Sequence, residues 1–242
     1  MRLMYDNEVM DATLTAATHE ANYPVSNLKD TRLSRIYQST SGTAQYILIA
    51  GTAITASCLL IAAHDIPSGA TITIQGNDID SWGAPSFSES VTQSDDIMAH
   101  YFTSASYNYW RLYVNTAAAF IIGGLHLGAY TIAPYLDLGY AMNDNDAAIV
   151  DISAGGQAYA TETYQYRTGK FSIPEFSHSQ RAEMRIFWES VGLHTPFYLV
   201  KWADYLSYEP AMYCVLTAPL AWKQNKSDPN KYSMTLQMRE VF

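Results

Sequence analysis

The segment 46–77, YILIAGTAITASCLLIAAHDIPSGATITIQGN, carries no charged residue before His64-Asp65 and holds three strand-like runs around one sharp turn. Residues 46–49 are a short apolar run, and 56–63 are a longer one. Residues 71–75 alternate β-branched polar with apolar side chains. Pro67 and Gly69 cannot both continue a regular element, so His64-Asp65-Ile66-Pro67-Ser68-Gly69 reads as the turn. A continuous apolar run suits a strand covered on both faces, and an alternating one suits a strand wet on one face. The segment predicts the centre of a β-sandwich, with the His64-Asp65 turn setting the register of two of its strands.

The flanking sequence extends this pattern. Pro24 imposes an extended approach to an irregular loop over 21–40. Residues 78–96 read as a long loop holding Trp82 and Phe87. A strand is expected at 98–102 and a second at 107–115, where Tyr107, Tyr109, Arg111 and Tyr113 share one face while Trp110, Leu112 and Val114 take the core face. The run FIIGGLHLGA over 120–129 closes this half, its paired glycines marking a bulge or a close backbone approach. Asn143-Asp144-Asn145-Asp146 reads as a polar hinge. Hairpin-like segments follow at 157–161, 163–167 and 170–173. Ser177 with Gln180 forms a capping box, Gly192 is a stop, and Met184, Phe187, Trp188 and Val191 share a face, which predicts one helix. Strands are expected at 196–202, 212–216 and 232–239. The fold class is therefore mainly β: an N-terminal sandwich over 1–135, then a smaller α+β domain over 136–242 with one helix on a sheet.

Composition narrows the function classes. The 242 residues are 48% hydrophobic, enough for a real core, and only 15% charged. Tyrosine, at 19, outnumbers the 8 Phe and 5 Trp together, which suits surfaces where one end of a ring stays wet. Such a surface, poor in charge, fits a protein that lives in an assembly. The net charge of −9, with scattered Lys and Arg, argues against nucleic-acid binding. No apolar run reaches membrane-spanning length. The opening MRLMYDNEVMD has acids where a signal peptide would be basic and then apolar, which predicts synthesis and retention in a cytoplasm unless the chain leaves within a larger particle. Cys58 and Cys214 sit in apolar strand patterns and read as buried thiols.

No catalytic constellation stands out. There is no nucleophile elbow and no phosphate-binding glycine loop, and the His64-Asp65 pair reads as turn chemistry. An enzyme is not expected, nor is a cofactor or a metal. Asn143–Asp146, or Asp78, Asp80, Asp95 and Asp96, offer hard oxygens to Ca²⁺ only as a minority reading, because the spacing of a calcium loop is missing. For binding, the candidate glycan or partner contacts are Trp82, Phe87, Tyr101, Tyr107 and Tyr109. Their rings suit the apolar C–H faces of sugars or a subunit interface.

The residues Asn22-Tyr23-Pro24-Val25-Ser26-Asn27-Leu28, the strand ending at His64-Asp65, Ala70-Thr71-Ile72-Thr73-Ile74-Gln75-Gly76 and Tyr109-Trp110-Arg111-Leu112 together resemble a discoidin, or galactose-binding-like, sandwich of the kind in tailed-bacteriophage tail proteins. This covers about 20–130. The second half is similar to distal-tail and minor-tail proteins of long-tailed phages, on residues 166–173, the 177–191 helix, the 196–202 strand and the closing strand from 232. The resemblance implies a structural virion component at the tail tip or baseplate, in which a ring of copies (a hexamer favoured, a trimer possible) joins tube to hub and fibres. Its partners would be itself and other tail proteins, with possible host-glycan contact through the sandwich, and its location the phage tail, assembled in the host cytoplasm.

Overall fold

The computed structural model describes residues 1–133, 141–161, 163–202, 210–226 and 228–241. The expected domain boundary at 135/136 lies outside them. The chain forms two compact units. The larger holds Arg2–Thr131 with 200–202 and 210–212, and the smaller holds Met1, the described part of Ile132–Leu199, and Tyr213–Val241.

Among the described residues the larger unit holds β1 (Arg2–Met4), β2 (Thr13–Ala16), β3 (Tyr37–Gln38), β4 (Gln45–His64), β5 (Thr71–Asn77), β6 (Phe87–Val91), β7 (Met98–Asn115) and β8 (Ile121–Gly128). Two long strands organise them. The expected strands at 46–49 and 56–63 are one 20-residue strand, β4, and those at 98–102 and 107–115 are one 18-residue strand, β7. Each bends through an irregularity in the β4–β7 ladder between Ala50 and Ile54. There Ala53 adopts φ 52 and its N–H donates to Asn108 Oδ1 at 3.0 Å. A left-handed alanine costs about 1–2 kcal/mol, and the side-chain amide helps hold it.

The bend turns one hydrogen-bonded network into two leaves. The first half of β4 pairs with β2 and with the end of β7, which continues to β5 and then β6. The second half of β4 pairs with the start of β7 and with β8, which reaches β3. Between the leaves lies one core, with Ile47, Ile49, Ile72, Ile74, Leu112 and Trp110 from the first and Leu59, Ile61, Met98, Ile122 and Leu127 from the second. This is a β-sandwich. The paired glycines of β8 mark a close approach, because a Cβ on Gly123 would stand 2.2 Å from the Leu33 carbonyl oxygen. The 21–40 loop contains a short 3-10 turn, Val25–Lys29, with Val25 and Leu28 buried.

Later in the chain come β9 (Thr131–Ile132), β10 (Ala141–Asp146), β11 (Ile149–Ile152), β12 (Ala158–Thr161), β13 (Gln165–Phe176), α1 (His178–Val191), β14 (Phe197–Val200), β15 (Met212–Leu216), β16 (Ala221–Gln224) and β17 (Tyr232–Glu240). The smaller unit is built on the sheet order β10-β13-β17-β15-β14, with β16 beside β17. Helix α1 forms as its ends dictate. Ser177 Oγ accepts the Gln180 N–H, Gln180 Oε1 accepts the Ser177 N–H, and Gly192 caps the far end at φ 51. Met184, Phe187 and Val191 are buried, Trp188 is half-buried at the margin, and the Phe187 ring stands edge-on to Phe197 of β14 at 5.0 Å. The closing strand buries Met234, Leu236 and Met238.

One expectation in this unit is corrected. Asn143-Asp144-Asn145-Asp146 is not a hinge but part of strand β10, paired with Gln165–Lys170 of β13. An edge strand wet on both sides tolerates polar side chains, and the Asn145 amide ties across the ladder to Thr168 Oγ1 at 3.0 Å. Beyond β10, β11 and β12 form a separate two-stranded hairpin.

Candidate functional site

On the outer side of the first leaf, the register lines up three rows across β4, β7 and β5: Tyr46–Tyr113–Thr73, Leu48–Arg111–Gln75 and Ala50–Tyr109–Asn77. Residues opposite each other in a ladder project to the same face. Their alternates Ile47, Ile49, Trp110, Leu112, Ile72 and Ile74 fill the core, so this grid faces outward. Its centre is Arg111. Its Nε donates to Gln75 Oε1 at 2.8 Å, and its Nη2 donates to the same oxygen. The guanidinium carbon lies 4.4 Å from the Trp82 ring centre, 5.5 Å from Tyr113 and 5.9 Å from Tyr46. These are cation–π distances. Partial burial draws the guanidinium below its ordinary value, opposed by the neighbouring Tyr113, Tyr46 and Asp80. Arginine stays cationic at neutral pH regardless.

Trp82 reaches this face because Asn77 folds the loop that carries it. The Asn77 amide donates to the Ser81 carbonyl at 2.6 Å, and its Oδ1 accepts from the Asp78 N–H and the Ser86 hydroxyl, each at 3.0 Å. Asp80 then accepts the Trp82 indole N–H at 2.7 Å. Asn77, Gln75 and Arg111 were not among the sequence candidates. The available signal was the Tyr109-x-Arg111-x-Tyr113 alternation, which places a cation among aromatics but does not show what lies opposite it.

Of the five candidate contacts, Trp82 and Tyr109 lie on this face. Phe87 and Tyr107 do not. Phe87 belongs to β6 rather than a loop and packs against Phe102, Trp110 and Tyr107, with centroids 5.1, 5.4 and 6.4 Å away. Tyr107 pairs opposite the buried Ile54, stands edge-on to Trp110 at 5.4 Å, and touches the space a Cβ on Gly76 would fill. The ladder irregularity beside Asn108 shifts the alternation by one residue, so Tyr107 turns inward while Tyr109 stays outward. Tyr101 lies apart. The Arg2 guanidinium covers its ring at 3.9 Å, Tyr130 stands edge-on at 5.4 Å, and burial pushes its hydroxyl pKa upward.

His64 and Asp65 hold the turn. The His64 ring bonds the Asp96 carbonyl at 3.0 Å and accepts the Ile66 N–H, while Asp65 accepts the Ile121 N–H at 2.6 Å. Cys58 and Cys214 are free and buried, and burial pushes the Cys58 thiol up to about 12. Among the described residues, no group of three or more His, Cys, Asp or Glu is placed to hold a metal ion, and no helix is long and apolar enough to cross a membrane.

No protein-family model and no curated protein matches the sequence. Several solved structures are similar over about half of the chain. Chitosan-binding module 1 of a chitosanase/glucanase from Paenibacillus sp. IK-5 is 20% identical with a TM-score of 0.41, covering 50% of this chain and 98% of its own. The lectin domain of lectinolysin complexed with Lewis B antigen is 6% identical with a TM-score of 0.44, covering 52% and 98%. The family 32 carbohydrate-binding module of C. perfringens NanJ, in complex with galactose, is 12% identical with a TM-score of 0.43, covering 54% and 100%.

Proposed function

We propose that the protein acts by binding and assembly rather than by catalysis, and that the outer face of its sandwich contacts glycans. The observation that carries this reading is the grid around Arg111. An indole and three tyrosine rings offer faces for sugar C–H groups, while Gln75, Thr73 and the arginine offer polar partners for hydroxyls. A glycan array, followed by calorimetry on its hits, tests it. Trp82→Ala is expected to weaken binding about fivefold to tenfold, the scale of one aromatic contact at about 1–1.5 kcal/mol. An array without hits, or an unchanged affinity after Trp82→Ala, would sink the reading.

A second reading follows from the smaller unit and from the sequence resemblance. We propose that the chain is a structural component of a bacteriophage tail tip, forming a ring, with a galactose-binding-like sandwich carried on it. The β11–β12 hairpin favours this. A two-stranded hairpin is marginal by itself in water, yet Ile149, Ile152 and Tyr159 are 58%, 73% and 60% exposed. On the outward side of α1 and just past its end, Ile186 and Leu193 are exposed too. One apolar projection and one apolar face on the same protomer fit a head-to-tail contact between copies, which closes into a ring when the rotation allows. The native chain is expected to run as a ring-sized oligomer by light scattering, and Ile149→Ser with Ile152→Ser to shift it toward monomer. A native chain monomeric at every concentration would exclude this reading.

A further inference from the structure

We infer that the glycan taken by the Arg111 face carries a carboxylate, with Arg111 as its counter-charge; this rests on the glycan-contact reading above. The chain's net charge is −9, so a cation left without an acid stands out. Arg32, Arg35, Arg167 and Arg185 each lie within ion-pair distance of an acid: Asp30 for the first two, Glu240 and Glu189 for the others. Arg111 has no such partner among the described residues. Among the described residues, Arg2, Arg181 and Arg239 also rest on rings with no acid within ion-pair distance. Arg111 differs in being held at the middle of a three-strand grid, with three rings around it and a neutral amide fixing its orientation.

That arrangement matters chemically. A guanidinium has five N–H donors in a fixed fork, and the two bonds to Gln75 Oε1 engage one side of it. The remaining donors suit a planar carboxylate, which arginine binds bidentately. Gln75 brings no charge to satisfy the cation. The adjoining loop holds two acids, Asp78 and Asp80; neither lies within ion-pair distance of Arg111 among the described residues, and Asp80 is engaged by the Trp82 indole N–H. The rings that hold the guanidinium also offer faces to the sugar bearing the carboxylate, so charge and stacking would be read by one ligand. The acidic chain repels polyanions at long range, so the preference is expected to come from this local contact.

The test uses the full chain and calorimetric titration at fixed ionic strength. Polygalacturonate is compared with its fully methyl-esterified form, which keeps the sugar and removes the charge. Polysialic acid with its methyl ester distinguishes a uronate from a sialic-acid source. At least one acid form is expected to bind about tenfold tighter than its ester. Arg111→Gln should bring it down to the level of the ester, and Arg111→Lys, which keeps charge but loses the fork, should recover only part. Thermal melting of both variants separates loss of contact from loss of fold. Equal binding of acid and ester for both sugars would overturn the inference, as would a preference surviving in folded Arg111→Gln. Polyglutamate binding as tightly as the acidic sugars would overturn it in favour of an acidic protein partner. If neutral glycans bind and the acids gain nothing, this inference fails and the glycan reading stands. If no glycan binds at all, both fall.

Discussion

Replacing Trp110 with alanine is expected to destabilise the sandwich by about 3–5 kcal/mol, the range for emptying a large aromatic site in a packed core. Trp110 has no exposed surface, and Phe87, Phe102 and Tyr107 surround its ring with centroids 5.4–5.5 Å away. Its indole N–H also donates to the Ile54 carbonyl at 3.0 Å. That carbonyl sits beside the bulge where β4 bends, so the side chain both fills the core and supports the backbone irregularity. Trp110→Phe keeps most of the ring contact and loses the hydrogen bond, at a cost of about 1–3 kcal/mol for the orphaned acceptor. Denaturant unfolding followed by far-UV circular dichroism checks both variants. A loss below about 1 kcal/mol for Trp110→Ala would mean that the ring cluster closes over the gap and that Trp110 does not hold the bend.

What the sequence showed and what it hid divide along physical lines. Helix α1 was readable because its signals are local: the Ser177–Gln180 box and Gly192 act within a few residues of the ends they cap. The core face of Trp110, Leu112 and Val114 was readable because alternation survives along an unbroken stretch of strand. Tyr107 was misplaced because the irregularity next to Asn108 reverses the phase of the stretch just before it, while beyond a second irregularity, opposite Ala56–Cys58, Phe102 and Met98 again face the core, and composition gives no sign of either. The same irregularity hid the continuity of β4, where Gly51-Thr52-Ala53 looks like a break and is a bend. Asn143–Asp146 misled in the opposite sense, since polar residues that favour turns also serve on an edge strand with water on both sides. The Arg111 grid was hidden for another reason. Its members come from β4, β5 and β7 and meet only through register: Gln75 and Arg111 are 36 positions apart. The loop that brings Trp82 over the arginine depends on Asn77, whose amide looks in sequence like any other turn residue.

Acidification is expected to unfold the sandwich largely through His126. The residue lies on β8, opposite Leu60, with 1% of its surface exposed. Burial lowers its pKa to about 3 from an ordinary 6.5. A depressed histidine pKa means that the folded state favours the neutral ring, while the unfolded chain takes up the proton near 6.5. The stabilisation is therefore complete above that value and is lost as the pH falls from about 6.5 toward 3. Each pH unit well inside this window removes about 1.4 kcal/mol, so the loss by pH 4 is on the order of 3 kcal/mol. His64, whose pKa is also lowered by burial, although its bond to the Asp96 carbonyl opposes the shift, acts in the same direction. Urea unfolding at intervals from pH 7.5 to 4 should show the decline, and His126→Leu should flatten much of it even if it lowers stability at neutral pH. Carbon-13 shifts of the His126 ring give an independent reading, because the native imidazole should remain neutral to pH 4. A ring that titrates near 6.5 in the folded protein would show that water or a counter-charge reaches it, and the acid sensitivity would then have to come from elsewhere in the chain.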